Sequence, residues 1–469
     1  MKPNQYRVLV YPNVTHQKDL RQDSWVYVMK NVLTELNKIR DDLYFTILTT
    51  KHLKEMEFEN TEQKVISLPT YPNSMRTHFN YFEVSEAIDL RHNDYDIVWS
   101  HLPEHTLQLK NLILNTSNCK PRFVGYSHWW EFKESTFYDQ TMLNQNLIGL
   151  LEMEKCGINC GAQKKLVYST AKQLLNKDRT DQLWDILDVQ YLGSENPILS
   201  EKKFENEYPI IVWNHRVHAY KGWDFFKDCM NRLWEERQDF RLWISFQKDS
   251  NPQRSGINQE MLDETICLDR DDYYKKLESS LFGVACNSKF KGWNVSATDG
   301  LSVGLPYLFW KSENYQELAG SSGLYFTSKK ELLMLMNGLL DKHHKGDPKD
   351  DLPYFDDYRF LRALKTLSYQ RAEELRWENQ IHQFSEMFDY CIEKMMEDTF
   401  EADDENQDSS LRRIVEIIES KNTINKNELF HKGNLNWSKR ITFQKYRNTL
   451  RKHHSDNIQI TKSGYNWIK

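Results

Sequence analysis

The sequence predicts an α/β protein built as two successive strand–helix units, with a small module of another kind at the end. Three observations carry this. Short apolar runs alternate with stretches of helical spacing from Arg7 onward. A polar stretch containing Pro197 separates two such series, and a fresh apolar run opens at Pro209. Beyond residue 410 the alternation stops and the composition turns basic. The expected division is 1–198 and 199–357 for the two units, 358–396 for a helical region, 397–410 for an acidic tether and 411–469 for the terminal module. A chain of 469 residues exceeds what one core supports.

In the first unit, Arg7-Val-Leu-Val-Tyr11 is a continuous apolar strand, as in a parallel sheet covered on both faces. Ser24 suits an N-cap, and Val26, Val28, Met29, Val32, Leu33 and Leu36 mark the buried face of the helix it opens. Residues 44–48, 96–99, 122–126, 166–170 and 189–193 are the other expected strands. The stretch 71–82, polar and aromatic with Arg76 and His78, is a candidate acceptor loop or a surface loop packed by its own rings. In the second unit the expected strands are 209–213, 241–245, 265–268, 281–286 and 307–310, and Asp269 opens the helix before the fourth.

Two motifs carry chemistry. The first is Lys291-Gly-Trp-Asn-Val-Ser-Ala-Thr-Asp-Gly-Leu-Ser-Val-Gly-Leu-Pro306. It reads as a loop over 292–296, then a helix over 297–303 ended by Gly304 and sealed by Pro306. Strand, small-residue loop and helix N-terminus aim backbone N–H groups above the sheet, which favours a phosphate. Asp299, expected in the first turn, could accept hydrogen bonds from sugar hydroxyls. The second motif is Asn214-His-Arg216 followed by Lys221-Gly222. Two fixed cations suit a diphosphate leaving group. The plain alternatives are an ordinary strand–loop–helix and a solvated basic turn.

The first motif resembles a signature of retaining GT-B glycosyltransferases, the group of glycogen synthases and bacterial wall transferases. Their pattern is Glu, Gly, aromatic, Gly, several small residues, Glu, and later Gly-x-Pro. Asp299 takes the place of the second Glu and Gly304-Leu-Pro306 matches the end, whereas Lys291 stands at the first Glu and Asn294 at the second Gly. Arg216 and Lys221 match the family's cations residue for residue. The resemblance covers roughly residues 5–396 and implies two Rossmann-like domains facing a cleft. It also implies a donor site of Arg216, Lys221, Gly222, Gly292, Asn294, Val295, Ser296 and Asp299, holding a nucleotide sugar, here expected to be a UDP-sugar. His128, at the end of strand 122–126, would face the sugar beside the reacting carbon. Trp129 and Trp130 are acceptor candidates with Arg76 and His78. No metal is required by such enzymes. The glycines usual in the family's first turn are replaced here by Pro12-Asn13-Val14-Thr15.

Composition suits a soluble globular protein, with 39% hydrophobic and 28% charged residues. No apolar run approaches the roughly 18 residues of a membrane span, and no signal peptide is visible. The 7 cysteines are scattered, and Cys156 and Cys160 have no second pair, so reduced thiols, no zinc and a cytoplasmic site are expected. The net charge of −6 hides an asymmetry: residues 411–469 hold 13 Lys/Arg against 4 Asp/Glu, a net +9. That points to a polyanion held by one part of the chain.

Within this basic end, 411–420, 423–429 and 437–452 read as helices and 458–468 as a hairpin, an order that resembles a winged helix. The third helix carries Lys439, Arg440, Lys445, Arg447, Arg451 and Lys452 and no acid. Such a helix enters a DNA groove in winged helices, though some of these modules dock proteins instead. A transferase fold with a DNA-binding tail resembles the enzymes by which phages place sugars on hydroxymethylated DNA. The expectation is transfer, with retention, to 5-hydroxymethylpyrimidine, in particular hydroxymethylcytosine, in double-stranded DNA. Two rivals stand beside it: a transferase acting on a polysaccharide, wall polymer or protein, and a non-catalytic nucleic-acid-binding protein on the same scaffold, which Lys291 keeps open.

Overall fold

The apolar runs of the first unit pair edge to edge into a wholly parallel sheet. A computed structural model describes residues 5–12, 24–67, 77–117, 119–127, 130, 139–197, 206–245, 256–267, 269–288, 292–344, 357–401, 423–425, 458–460 and 464–467. The first sheet contains β1 (Tyr6–Tyr11), β2 (Leu43–Thr49), β3 (Thr61–Val65), β4 (Ile97–Ser100), β5 (Arg122–Ser127), β6 (Lys155–Ile158) and β7 (Leu187–Val189), in the order β3-β2-β1-β4-β5-β6-β7. Its helices are α1 (Ser24–Ile39), α2 (Tyr81–Ile88), α3 (Pro103–Thr116), α4 (Gln140–Leu151), α5 (Gly161–Leu174) and α6 (Lys177–Ile186). The six α1 positions expected to face inward are all buried.

The second sheet, also parallel, contains β8 (Ile210–Trp213), β9 (Arg241–Ile244), β10 (Leu262–Asp263), β11 (Phe282–Ala285), β12 (Tyr307–Trp310) and β13 (Gly323–Phe326), in the order β10-β9-β8-β11-β12-β13. It carries α7 (Trp223–Glu236), α8 (Arg270–Glu278), α9 (Val295–Ser302), α10 (Glu313–Ala319) and α11 (Lys329–His344). In both sheets the strand order turns back once, between β1 and β4 and between β8 and β11. The carboxyl ends of strands at such a switch point border a crevice where α/β proteins bind ligands.

Helices α12 (Asp357–Glu374) and α13 (Trp377–Glu401) close the body. The first packs against α9 and α11 of the second domain. The second crosses to the first domain, where Phe384 stacks on Tyr126 with centroids 5.3 Å apart and Asp389 pairs with Arg40 at 2.7 Å. Trp377-Glu378 opens α13. The forward crossing of the chain touches the return crossing: the Ser194 N–H donates to the Leu375 carbonyl at 2.7 Å and its hydroxyl to the Ala372 carbonyl at 2.5 Å.

Several sequence expectations are corrected. Residues 166–170 lie inside α5, because Ala162, Val167 and Ala171 are buried at helical spacing; the strand there is β6, four residues interrupted by Gly157. The expected strand at 189–193 ends at Val189, and that at 265–268 is replaced by β10 at Leu262–Asp263. Residues 194–208 are not merely a solvated linker, since Ser194 is buried. The acidic stretch begins as helix, because α13 continues to Glu401 with a Lys394–Glu397 pair at 2.7 Å on its surface. Residues 423–425 form a strand, β14 (Thr423–Asn425), not the start of a helix; the β-branched Thr423 and Ile424 suit extended backbone. It pairs antiparallel with β16 (Gly464–Trp467), which also pairs with β15 (Ile458–Ile460), so the expected hairpin is present. Lys439, Arg440, Lys445, Arg447, Arg451 and Lys452 lie outside the described residues.

The crossing of α13 is tight where Gly193 meets it. A Cβ there would collide with the Trp377 ring and lie 2.8 Å from its Cα. Gly193→Ala is expected to destabilise the body by about 1–3 kcal/mol, the usual range for overpacking, read as a lowered midpoint of thermal unfolding.

Candidate functional site

The carboxyl edge of the second sheet is organised by Asn214, the first residue past β8. Its amide is 7% exposed and makes three bonds. Nδ2 donates to the Ser296 carbonyl at 2.7 Å and to the Tyr273 hydroxyl at 2.9 Å, while Oδ1 accepts from the Tyr307 hydroxyl at 3.0 Å. One side chain thus ties the end of β8 to α8, α9 and β12. A buried amide needs such partners, because an unsatisfied one costs about 1–3 kcal/mol.

The two expected cations follow immediately. Arg216 is exposed, and Lys221 is half-buried at the end of a 3₁₀ turn over Ala219–Lys221. Burial and the neighbouring Arg216 charge pull the Lys221 ammonium down to about 8. Gly222 then takes φ +82°, and a Cβ on it would lie 2.7 Å from the Cys286 carbonyl oxygen. Only glycine allows this loop to close over the end of β11. His215, between the cations and the sheet, is buried; burial and Lys221 bring its ring down to about 3, so it is neutral.

The other wall is α9. It begins at Val295, two residues earlier than expected, because the Asn294 side chain caps it by accepting the Ala297 N–H at 3.2 Å. Among the described residues the N–H groups of Val295 and Ser296 have no protein acceptor, and both residues are half-buried. The loop before the helix is held firmly. The Gly292 carbonyl accepts from Asn314 at 3.0 Å, Asn294 Nδ2 donates to the Tyr315 hydroxyl at 3.3 Å, and the Trp293 indole donates to Thr298 at 3.1 Å.

The earlier start of α9 moves Asp299 to its second turn, away from the N-terminus. Its carboxylate is not open. Oδ1 accepts from Arg270 at 3.2 Å and from the Tyr274 hydroxyl at 3.2 Å, and Oδ2 from the Tyr273 hydroxyl at 3.3 Å. Arg270 also pairs with Glu195 at 2.7 Å and lies 5.0 Å from the centre of the Tyr27 ring on α1. Burial raises the Asp299 carboxyl to about 6, opposed by Arg270 and the two tyrosines. Asp299 and Arg216 flank the same Asn214 clamp, from α9 and from the loop after β8 respectively.

The acceptor candidates fare differently. Trp130 is 2% exposed and packs in the core of the first domain, so its ring is not presented to a ligand. Tyr126, at the end of β5, is fully buried and its hydroxyl donates to the Gln190 carbonyl at 3.2 Å. His78 is exposed. Arg76, His128, Trp129 and Lys291 lie outside the described residues. The residues missed from sequence are Asn214, Glu195, Arg270, Tyr273 and Tyr274. Asn214 could have been found as the first polar residue after a wholly apolar strand; the others acquire a role only through tertiary contact.

No family model and no curated protein matches this chain. Solved structures do resemble it. A trehalose-6-phosphate synthase, analysed for glycosyl transfer with retention, superposes with a TM-score of 0.58 at 11% identity, over 82% of this chain and 99% of that one. HepE from Anabaena, solved with UDP-glucose, gives 0.57 at 11% identity over 82% and 99%. The N-terminal domain of Candida albicans trehalose-6-phosphate phosphatase gives 0.57 at 12% identity over 82% and 97%. The likeness is one of fold: two Rossmann-like domains of the GT-B type. The third neighbour is part of a protein called a phosphatase, and fold alone does not fix a reaction.

If Lys221 contributes its charge to an anion site, UDP affinity of the intact protein falls as pH rises from 7 through about 8, where the ammonium is lost. Lys221→Met is expected to weaken UDP about tenfold or more, the cost of one charged hydrogen bond, and to flatten that pH dependence. Titration calorimetry at several pH values reads both.

Proposed function

We propose that this chain is a nucleotide-sugar-dependent glycosyltransferase, using a UDP-sugar, that modifies 5-hydroxymethylpyrimidine, in particular hydroxymethylcytosine, in DNA. One observation supports the donor half: Arg216 and Lys221 lie in the loop after β8, at the switch point of the second sheet, and Asn214, the first residue of that loop, bonds the Ser296 carbonyl in the first turn of α9. Two cations and a helix N-terminus form an anion site of the kind a diphosphate needs. The UDP-glucose carried by HepE on the same fold supports the choice of donor.

The reaction balances without a protein nucleophile. The bond from sugar C1 to the diphosphate oxygen breaks, and its electron pair stays on the phosphate. Arg216 and Lys221 meet the charge that develops there. The hydroxymethyl oxygen of the acceptor attacks C1 from the same face, and its proton passes to the departing phosphate oxygen. Attack from that face retains configuration. Asp299 acts chiefly by holding Arg270 and the two tyrosines in place; contact with a ribose hydroxyl uses the remaining acceptor capacity of Oδ2. In this reading the sugar would fall to His128, and the acceptor to Arg76, His78 and Trp129, as the sequence resemblance implies.

The DNA half rests on the basic end. A short strand followed later by a hairpin, with sheet order β14-β16-β15, is the strand arrangement of a winged helix, and the six Lys and Arg residues of 437–452 fall in the segment between.

Incubating hydroxymethylated DNA with a panel of nucleotide sugars, followed by mass spectrometry of nucleosides, is expected to show a gain of one glycosyl unit with one donor. No gain with any donor would move the acceptor to a polymer or protein. In the full chain, changing Lys439, Arg440, Lys445, Arg447, Arg451 and Lys452 to Gln is expected to abolish salt-sensitive DNA binding and to leave donor hydrolysis unchanged. Retained DNA binding would overturn the role given to this helix.

A further inference from the structure

The loop that leads into α9 is not held by its own domain alone. The Trp293 N–H donates to Asn159 Oδ1 at 3.2 Å, and the Trp293 ring stacks on Tyr191 with centroids 5.0 Å apart at 22°. Asn159 follows β6 and Tyr191 follows β7, so both belong to the first domain. The Tyr191 hydroxyl in turn donates to Glu317 Oε1 at 2.9 Å, back in the second domain on α10. The Glu317 carboxylate then returns to the first domain. It accepts the N–H of Gly161 at 2.7 Å and of Ala162 at 3.3 Å, the first two residues of α5. Lys165 on α5 pairs with Glu313 on α10 at 3.1 Å alongside.

These contacts form a ring that crosses between domains at every non-covalent step: Trp293, Tyr191, Glu317, Gly161 and, two residues before it along the chain, Asn159, which returns to Trp293. Asn159 and Trp293 are buried, and Tyr191 and Glu317 are half-buried. A carboxylate on otherwise unpaired helix N–H groups is a charge-assisted contact, favoured also by the helix dipole. A methyl group on Gly161 would sit 3.1 Å from Glu317 Oε1, so the side chain seats closely on the helix end.

We propose that Glu317 is a positioning residue that couples apposition of the two domains to the placement of the donor loop. Seated on α5, it fixes Tyr191, which fixes the Trp293 ring and so the loop that leads into the Asn294 cap and the open N–H groups of α9. Donor binding and domain apposition then favour one another, as linked equilibria must. This rests on the reading of the α9 end as the donor site.

Hydrogen exchange of the full chain, with and without UDP, tests it. In the wild type, saturating UDP is expected to slow exchange at Gly161 and Ala162 as well as at Trp293, since one opening event exposes all three. Glu317→Ala is expected to speed exchange at all three about tenfold and to weaken UDP about fivefold. Glu317→Gln keeps length and one acceptor and is expected to fall between. Tyr191→Phe keeps the stacked ring, removes only the hydroxyl and serves if the Ala variant does not fold; it is expected to speed exchange at Trp293. Faster exchange at Gly161 and Ala162 with Trp293 unchanged in these variants would overturn the coupling. So would unaltered UDP affinity. A wild type that binds no UDP yet shows joint exchange at the three amides would instead overturn the donor reading and keep the clasp.

Discussion

The carboxyl edge of the second sheet depends on one buried amide. Asn214 is the point at which four elements of the second domain meet, and each of its three bonds reaches a different one. Parallel strands bring their carboxyl ends to a common edge, but they do not by themselves fix the loops beyond it. Asn214 does so at the switch point, where β8 and β11 part company with their connections. Its grip on the Ser296 carbonyl orients the first turn of α9, and its link to Tyr273 carries the constraint to Asp299. The loop that carries Arg216 and Lys221 is therefore tied to α9 at its first residue.

The architecture was legible because its signals are local and periodic. Apolar runs such as those containing Val8 and Val212 predict buried parallel strands, and the spacing from Val26 to Leu36 predicts α1; all are buried as expected. Errors arose where strands were short or contained glycine. β6 includes Gly157 and offers four residues, while the neighbouring Leu166-Val167 pair imitates a strand inside α5. The site was legible in its charges and less so in its geometry. Arg216, Lys221 and Gly222 stand in a loop whose shape follows from glycine at φ +82°. Asp299 was assigned an open position that the structure fills with Arg270, Tyr273 and Tyr274. No spacing rule links residue 299 to residue 195 or 27, so that network exists only in the fold.

The two domains are joined by contacts of different kinds. At the chain crossings, Ser194 bonds to the backbone of residues 372 and 375, and Gly193 packs on Trp377, so the forward and return strands of the connection move together. Rotation about paired crossings of this kind costs little. Elsewhere polar contacts lie beside the Trp293–Tyr191 stack: Arg270 with Glu195 beneath Tyr27, and Glu317 on α5. Half-buried charged contacts gain little net free energy, because desolvation offsets their attraction. An interface so made is specific in register and modest in strength, a combination that lets a ligand in the crevice shift the balance between apposed and parted domains.

The distribution of charge gives the same answer from another direction. Several cations of the second domain are matched: Lys276 with Asp263 at 2.9 Å, Arg237 with Asp239 at 2.7 Å, Arg270 with Asp299 and Glu195. Arg216 forms no ion pair with any carboxylate among the described residues, and its nearest charged influence is Lys221, whose ammonium it pushes down. The Arg216 and Lys221 charges repel beside a neutral buried histidine. Under the proposed donor role, a diphosphate near Arg216 and the α9 amides would offset that repulsion.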